Sequence, residues 1–105
     1  MGLFGTKENS EDMMYQAMSL MEKNLPKRAI ALFNKVLKQD SKNTSALFNK
    51  GLALNKIKKY SDAVTCFDKL LEINPKDTQA FNNKGIAMAE MGNIQDAAQC
   101  YDKAI

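Results

Sequence analysis

Two cysteines and twelve carboxylates are the side chains of this chain that could perform catalysis or bind a metal ion. The chain contains no histidine, and its thiols, Cys66 and Cys100, lie far apart in the sequence. The absence of histidine excludes Ser-His-Asp and Cys-His nucleophiles and His-ligated zinc, and two thiols cannot form a four-thiolate site. We therefore expect a protein that is not an enzyme and that has no metal and no cofactor.

The composition favours helices over strands. The 105 residues are 45% hydrophobic and 26% charged, which is typical of a globular domain. Alanine occurs twelve times but valine only twice, and there are five glycines and two prolines. Such a balance of helix formers over β-branched residues and breakers predicts an all-α protein.

The ends of the chain carry no long apolar segment. No stretch approaches the length of a membrane span or of a signal-peptide core, so we expect a cytoplasmic protein with a flexible leader over residues 1–9. The first six residues, from Met1 to Thr6, fit the loose pattern for myristoylation at Gly2.

A repeat of 34 residues organises the rest of the chain. The segment 46–51 matches 80–85, and 66–71 matches 100–105, without an insertion. Within each unit, apolar residues recur at intervals of three and four in two stretches separated by turn residues. The pattern predicts six helices in three antiparallel pairs.

The residues that recur in each unit resemble those of the tetratricopeptide repeat family. The second unit carries the family's pattern at Gly51, Tyr60, Ala63, Phe67 and Pro75. The third carries it at Gly85, Gly92, Ala97 and Tyr101, whereas the first has Ala17 for the glycine and Pro26 for the aromatic residue. This resemblance covers about nine-tenths of the chain.

The resemblance implies an all-α, right-handed superhelix of three helix-turn-helix repeats. The repeats span residues 10–43 (divergent), 44–77 and 78–105, the last of them shortened. In such an array, small residues let the two helices of a pair approach while rings fill the adjoining space. The small residues are Ala17, Gly51, Gly85, Ala29, Ala63 and Ala97, and the rings are Phe33, Phe67 and Tyr101.

The resemblance also implies a concave groove, lined by the first helix of each pair, that binds a peptide or a helix. The lining residues by this resemblance are Met14, Tyr15, Met18, Met21, Phe48, Asn49, Leu52, Asn55, Asn82, Asn83 and Ile86. Met14, Met18, Phe48 and Leu52 could instead belong to the core, which is where we expect Met13, Leu47, Phe81 and Met88. Methionine adapts to apolar ligands, and asparagine amides can hydrogen-bond a peptide backbone.

One family variant grips the carboxylate of chaperone tails with two basic residues and asparagines. Asn49 matches that set, but Met14, Met18, Gln79 and Asn83 do not. We therefore expect no chaperone carboxylate clamp and predict a scaffold for an apolar or helical ligand.

Positive charge is concentrated in the middle of the chain. Residues 23–59 contain ten Lys or Arg and a single acid, Asp40, whereas the whole chain has a net charge of only +3. These lysines could form a solvated face or recruit an acidic partner. Nucleic acid is a poor candidate because arginine occurs once and no aromatic residues are interleaved.

The equivalent positions of Cys66 and Cys100 in stacked units predict two packed free thiols, too far apart for a disulfide.

The last unit stops inside its second helix, which leaves Ala97, Tyr101 and Ala104 uncovered. Either the chain is part of a longer array or another copy covers this open C-terminal repeat. Self-assembly into homo-oligomers is therefore the alternative function.

Overall fold

A computed structural model describes residues 9–105, and this part of the chain forms six α-helices. They are α1 (Ser10–Glu22), α2 (Pro26–Gln39), α3 (Thr44–Lys56), α4 (Tyr60–Ile73), α5 (Thr78–Glu90) and α6 (Ile94–Ala104). The predicted all-α fold and the six helices are confirmed. The predicted leader, apart from its last residue, and the myristoylation pattern at Gly2 lie outside the described residues.

The first helix of each pair begins with the same kind of cap. The Asn43 Oδ1 accepts a hydrogen bond from the Ala46 N–H at 3.0 Å, and the Asp77 Oδ1 accepts one from Ala80 at 2.9 Å. Asn9 caps α1 with its side chain in a similar way. Each cap satisfies an N–H group that has no partner inside its helix, so polar residues at the repeat boundaries set where the helices start.

The two helices of each pair are joined by a turn with one residue in the left-handed region. These residues are Asn24, Lys58 and Gly92, with φ values of 60°, 66° and 88°. In the first turn, the Leu25 N–H donates to the Leu20 carbonyl at 2.8 Å, and the other turns contain the corresponding bond. This bond closes the end of the first helix and reverses the chain. Gly92 adopts the conformation without strain, since it has no Cβ.

In the second and third pairs, the two helices touch at a glycine where no side chain fits. A Cβ atom added to Gly51 would lie 2.6 Å from the Phe67 ring, and one added to Gly85 would lie 2.6 Å from the Tyr101 ring. Phe67 is fully buried, as is Ala17 at the corresponding place of the first pair. The expected packing of small residues against rings is confirmed.

Each helix packs mainly against the helices that precede and follow it in the chain. The buried residues form two clusters, one centred on α1 and α2 and the other on α3 and α4. The large fully buried side chains of these clusters are Phe33, Phe67, Met13, Leu70 and Val36. Contacts between chain neighbours are those of a helical repeat solenoid, which this fold is.

The exposure expected around the last helix pair was partly wrong. Ala97 is only 2% exposed, because it packs inside the α5–α6 pair and needs no further helix to cover it. Tyr101 and Ala104 are half-buried. Phe81 and Met88, expected in the core, are half-buried as well.

The described residues contain neither a membrane-crossing helix nor a metal site. No helix within 9–105 combines the length and the apolar character needed to cross a bilayer. Across the same residues, no three His, Cys, Asp or Glu side chains cluster in a way that could hold a metal ion.

Gly51→Ala should lower the free energy of unfolding by about 1–3 kcal/mol, because the buried Phe67 ring cannot move away from the added methyl group. Urea unfolding followed by circular dichroism measures the change. Phe67→Leu makes room for the methyl group, so the double variant should lose less stability than the two single variants together. Additive losses would contradict a steric conflict between these two residues.

Candidate functional site

The predicted groove residues occupy corresponding stripes on α1, α3 and α5. Helical spacing puts Met14, Met18 and Met21 on one face of α1. The 34-residue repeat puts Phe48, Leu52 and Asn55 at the same positions of α3, and Asn82 and Ile86 at the same positions of α5. Tyr15, Asn49 and Asn83 form the adjacent row. The stripe is formed by methionines on α1 and becomes more polar towards α5.

The stripe and its adjacent row together contain three exposed large apolar side chains. Tyr15 is 79% exposed, Met18 39% and Ile86 40%. Each lies on a first helix, whereas the most deeply buried rings, Phe33 and Phe67, come from second helices. These three side chains are available for contact with another molecule.

The remaining apolar members of the stripe are half-buried. Met14 and Met21 pack against the cluster of α1 and α2, and Phe48 and Leu52 pack against that of α3 and α4. The Phe48 ring meets Phe67 edge-on, with ring centroids 6.1 Å apart. These side chains therefore support the core from the side of the stripe, and Phe48 contributes to stability as well as to the surface.

The amide donors of two predicted groove asparagines are already used. The Asn49 Nδ2 donates to the Ser45 carbonyl at 2.9 Å, and the Asn83 Nδ2 donates to the Gln79 carbonyl at 2.9 Å. Each bond runs back one turn of the same helix, and the two have the same geometry in successive repeats. Their Oδ1 atoms remain as hydrogen-bond acceptors for a ligand N–H.

Asn55 connects two first helices. Its Nδ2 donates to the Asn83 carbonyl at 3.3 Å, so it ties α3 to α5. Its Oδ1 is buried and has no hydrogen-bond partner within residues 9–105. Asn82, one residue before Asn83, is exposed. The structure thus brings Asn55 and Asn83 together, but through a contact within the fold.

Sequence reasoning missed a concave feature of the described residues. A cleft of about 700 Å³ lies between α2 and α4, with α3 as its floor. We call it the α2–α4 cleft. Its charged lining consists of Lys27, Lys50, Lys59, Lys69 and Asp62. The excess of lysine in residues 23–59 was its signal, but only folding brings lysines from three helices to one cleft.

Cys66 also lines this cleft but is not suited to nucleophilic chemistry. Burial raises the pKa of the Cys66 thiol, and the charge of Asp62 raises it further. Lys50 and Lys69 act in the opposite direction without overcoming the effect of burial. The thiol is therefore neutral near pH 7, and a neutral thiol is a poor nucleophile. Both Cys66 and Cys100 are free and buried, as predicted.

The chain matches a family model over almost all of the described residues. The model describes the N-terminal TPR repeats region of Psidin, and the match covers residues 13–105. No curated protein sequence matches the chain significantly.

Solved structures share the fold. The second TPR of Spaghetti, bound to an HSP90 peptide, has a TM-score of 0.87 at 20% identity, and the match covers 92% of this chain and 90% of that one. YrrB, a TPR protein with an unusual peptide-binding site, has a TM-score of 0.90 at 26% identity, covering 94% and 51%. MamA from Desulfovibrio magneticus RS-1 has a TM-score of 0.87 at 26% identity, covering 91% and 54%. The chain thus spans about half the length of YrrB and MamA.

Asn55→Asp should lower the free energy of unfolding by about 2 kcal/mol at pH 7, since a carboxylate cannot donate to the Asn83 carbonyl and is itself partly buried. At pH 4 the loss should be smaller, because a protonated carboxyl group can donate as the amide does. Asn55→Ala is the control: it removes both the bond and the unpaired acceptor and should change stability by less than about 1 kcal/mol. Equal losses for the two variants in urea unfolding would contradict a cost that is specific to the carboxylate at this position.

Proposed function

Because this chain belongs to the tetratricopeptide repeat family, we propose that it is a non-catalytic scaffold that binds a peptide or a helix of another protein. The proposed binding site is the concave groove formed by the stripes of α1, α3 and α5. The observation that carries this proposal is the exposure of Tyr15 and Met18 on α1 and of Ile86 on α5, the first helices of the first and third pairs. Exposed apolar residues that recur along one face are typical of a surface that contacts a partner.

The structural relatives support binding of this kind. The Spaghetti structure holds a peptide of HSP90, and YrrB has a peptide-binding site. The first of these shares only 20% identity, so that likeness concerns the fold. A fold that accommodates a peptide in those proteins supports a peptide or helical ligand here.

The side chains of the stripe favour an apolar ligand. Met14, Met18 and Met21 offer unbranched, adaptable surfaces to the apolar side chains of a ligand. The Oδ1 atoms of Asn49 and Asn83 can accept hydrogen bonds from its N–H groups. Because methionines occupy the positions that a carboxylate clamp would need, we propose that recognition does not depend on a C-terminal carboxylate.

The absence of histidine from the sequence supports a role without catalysis.

We also propose that the array consists of repeats over residues 10–43, 44–77 and 78–105. The first helices of these repeats start at Ser10, Thr44 and Thr78, which supports these bounds.

A reducing compartment such as the cytoplasm fits two cysteines that are free and buried.

Met18→Asp should weaken groove binding by tenfold or more, because it places a charge where an apolar contact is expected. The probe is a fluorescein-labelled peptide obtained by phage display on the purified chain, and fluorescence anisotropy measures its Kd. Met91→Asp is a matched control, since Met91 is 38% exposed, as Met18 is 39% exposed, but lies outside the stripe. If both Met18→Asp and Ile86→Asp bind the peptide as the parent does, the groove is not the binding site.

Self-assembly is the second candidate function. It is favoured by Ile94, which is 65% exposed at the start of α6, and by the exposed Met91 close to it. Sedimentation velocity should then show the average sedimentation coefficient rising with protein concentration, and Ile94→Asp should reduce that rise. A monomer at all concentrations would contradict self-assembly without affecting the groove.

A further inference from the structure

We infer that the α2–α4 cleft is a second docking site, and that it binds an acidic peptide segment through Lys50. The site is separate from the proposed groove. On α3, Leu47, Lys50 and Leu54 face the cleft, whereas Phe48 and Leu52 belong to the groove stripe on the opposite side of the helix. A ligand in one site therefore leaves the other accessible.

The internal repeat provides a comparison for Lys50. Its counterpart 34 residues later is Lys84, whose Nζ lies 2.7 Å from the Oδ1 of Asp68. Asp68 corresponds to Asn34, which lines the α2–α4 cleft together with Lys50. At corresponding backbone positions, α4 and α5 therefore carry the ion pair of Asp68 and Lys84. The equivalent positions of α2 and α3 carry a neutral amide, Asn34, and a lysine, Lys50. Asp62 lines the same cleft but forms no ion pair with Lys50 among residues 9–105, so the carboxylate of a ligand can pair with this lysine.

The position of Lys50 makes a counter-ion favourable. Lys50 is half-buried on the floor of the cleft, where a charge is less well solvated than at the surface. Among the described residues, none of the four lysines of the cleft forms an ion pair. Asp62 is the single acid of the lining.

The corresponding region between α4 and α6 has a different charge. The positions of Lys27 and Lys59 are taken there by Ser61 and Asn93. The counterpart of Lys69 is Lys103, whose Nζ lies over the Phe81 ring, 5.7 Å from its centroid. Both remaining lysines of that region therefore have a partner within the fold, one a carboxylate and the other a ring. Of these two regions, the α2–α4 cleft is therefore the one whose lysines have neither an ion-pair nor a ring partner among residues 9–105.

The apolar part of the cleft selects a peptide rather than a nucleic acid. Its walls and floor include Ile30, Leu37, Leu54 and Ile57, which can pack against an apolar side chain of the ligand. The lining contains no arginine and no aromatic residue, the side chains that grip phosphates in bidentate fashion or stack on bases. A segment in which acidic residues alternate with apolar ones fits both features.

The test uses a short fluorescein-labelled peptide of glutamate and leucine, with fluorescence anisotropy as the readout. The decisive variant is Asn34→Asp, which introduces the carboxylate that Asp68 provides to Lys84. We expect it to weaken binding roughly tenfold. Asn34→Gln, which adds no charge, should bind within about twofold of the parent. Binding should also weaken on raising NaCl from about 50 to 300 mM.

Two controls separate this site from the proposed groove. Gln99→Asp adds the same charge as Asn34→Asp at an exposed position of α6 outside the cleft, and it should leave the Kd of the peptide unchanged. Met18→Asp should also leave it unchanged, so the docking site and the groove can fail independently. In ¹H–¹⁵N NMR spectra, the peptide should shift the side-chain amide of Asn34 and backbone amides near Lys50 and Lys69, but not those near Tyr15 and Met18.

The inference is overturned if Asn34→Asp binds as tightly as Asn34→Gln. It is also overturned if the peptide with lysine in place of glutamate binds equally well, or if neither binds at low salt. A single-stranded RNA oligonucleotide that binds the parent more tightly than the peptide, and loses affinity in Asn34→Asp, would identify the cleft as a nucleic-acid site instead.

Discussion

The close approach of two helices at a glycine in the second and third repeats is the constraint on which the stack depends. At Gly51 the backbone of α3 lies against the Phe67 ring so closely that a single methyl group would overlap it. Gly85 and Tyr101 repeat the arrangement in the next pair. Because the ring is buried and the backbone opposite is rigid, the distance between the helices of a pair is fixed. Fixed pairs can then stack with the same geometry along the chain.

A repeating backbone makes corresponding side chains directly comparable. Lys50 and Lys84 lie at corresponding positions on α3 and α5, but only Lys84 has a carboxylate beside it. Asn49 and Asn83 make the same bond to their own helices, so their roles are alike. Differences in chemistry between repeats therefore arise from the side chains, since the backbone that presents them hardly changes. The two faces of α3 present the apolar side chains Phe48 and Leu52 on one side and the basic α2–α4 cleft on the other.

Much of the fold could be predicted because it depends on local patterns. Caps, turns and apolar spacing act within a few residues, and the 34-residue period ties them to one supersecondary unit. Exposure was predicted less well. Ala97 was expected to lie uncovered because no helix follows α6, yet its environment is set by its own partner helix. Three groove asparagines also donate to backbone carbonyls within the fold, and no periodicity reveals such a bond.

The sequence by itself determined the repeat, the six helices and the residues that let the pairs close. These properties follow from the size, branching and capping ability of side chains that are near one another in the chain. Only the tertiary structure decided which charges have a counter-ion. Asp68 and Lys84 belong to different helices and meet because α4 packs on α5, while Lys50 and Asn34 line the same cleft from α3 and α2. Coulomb energy depends on distance in space and on burial, and the packing of the helices fixes both.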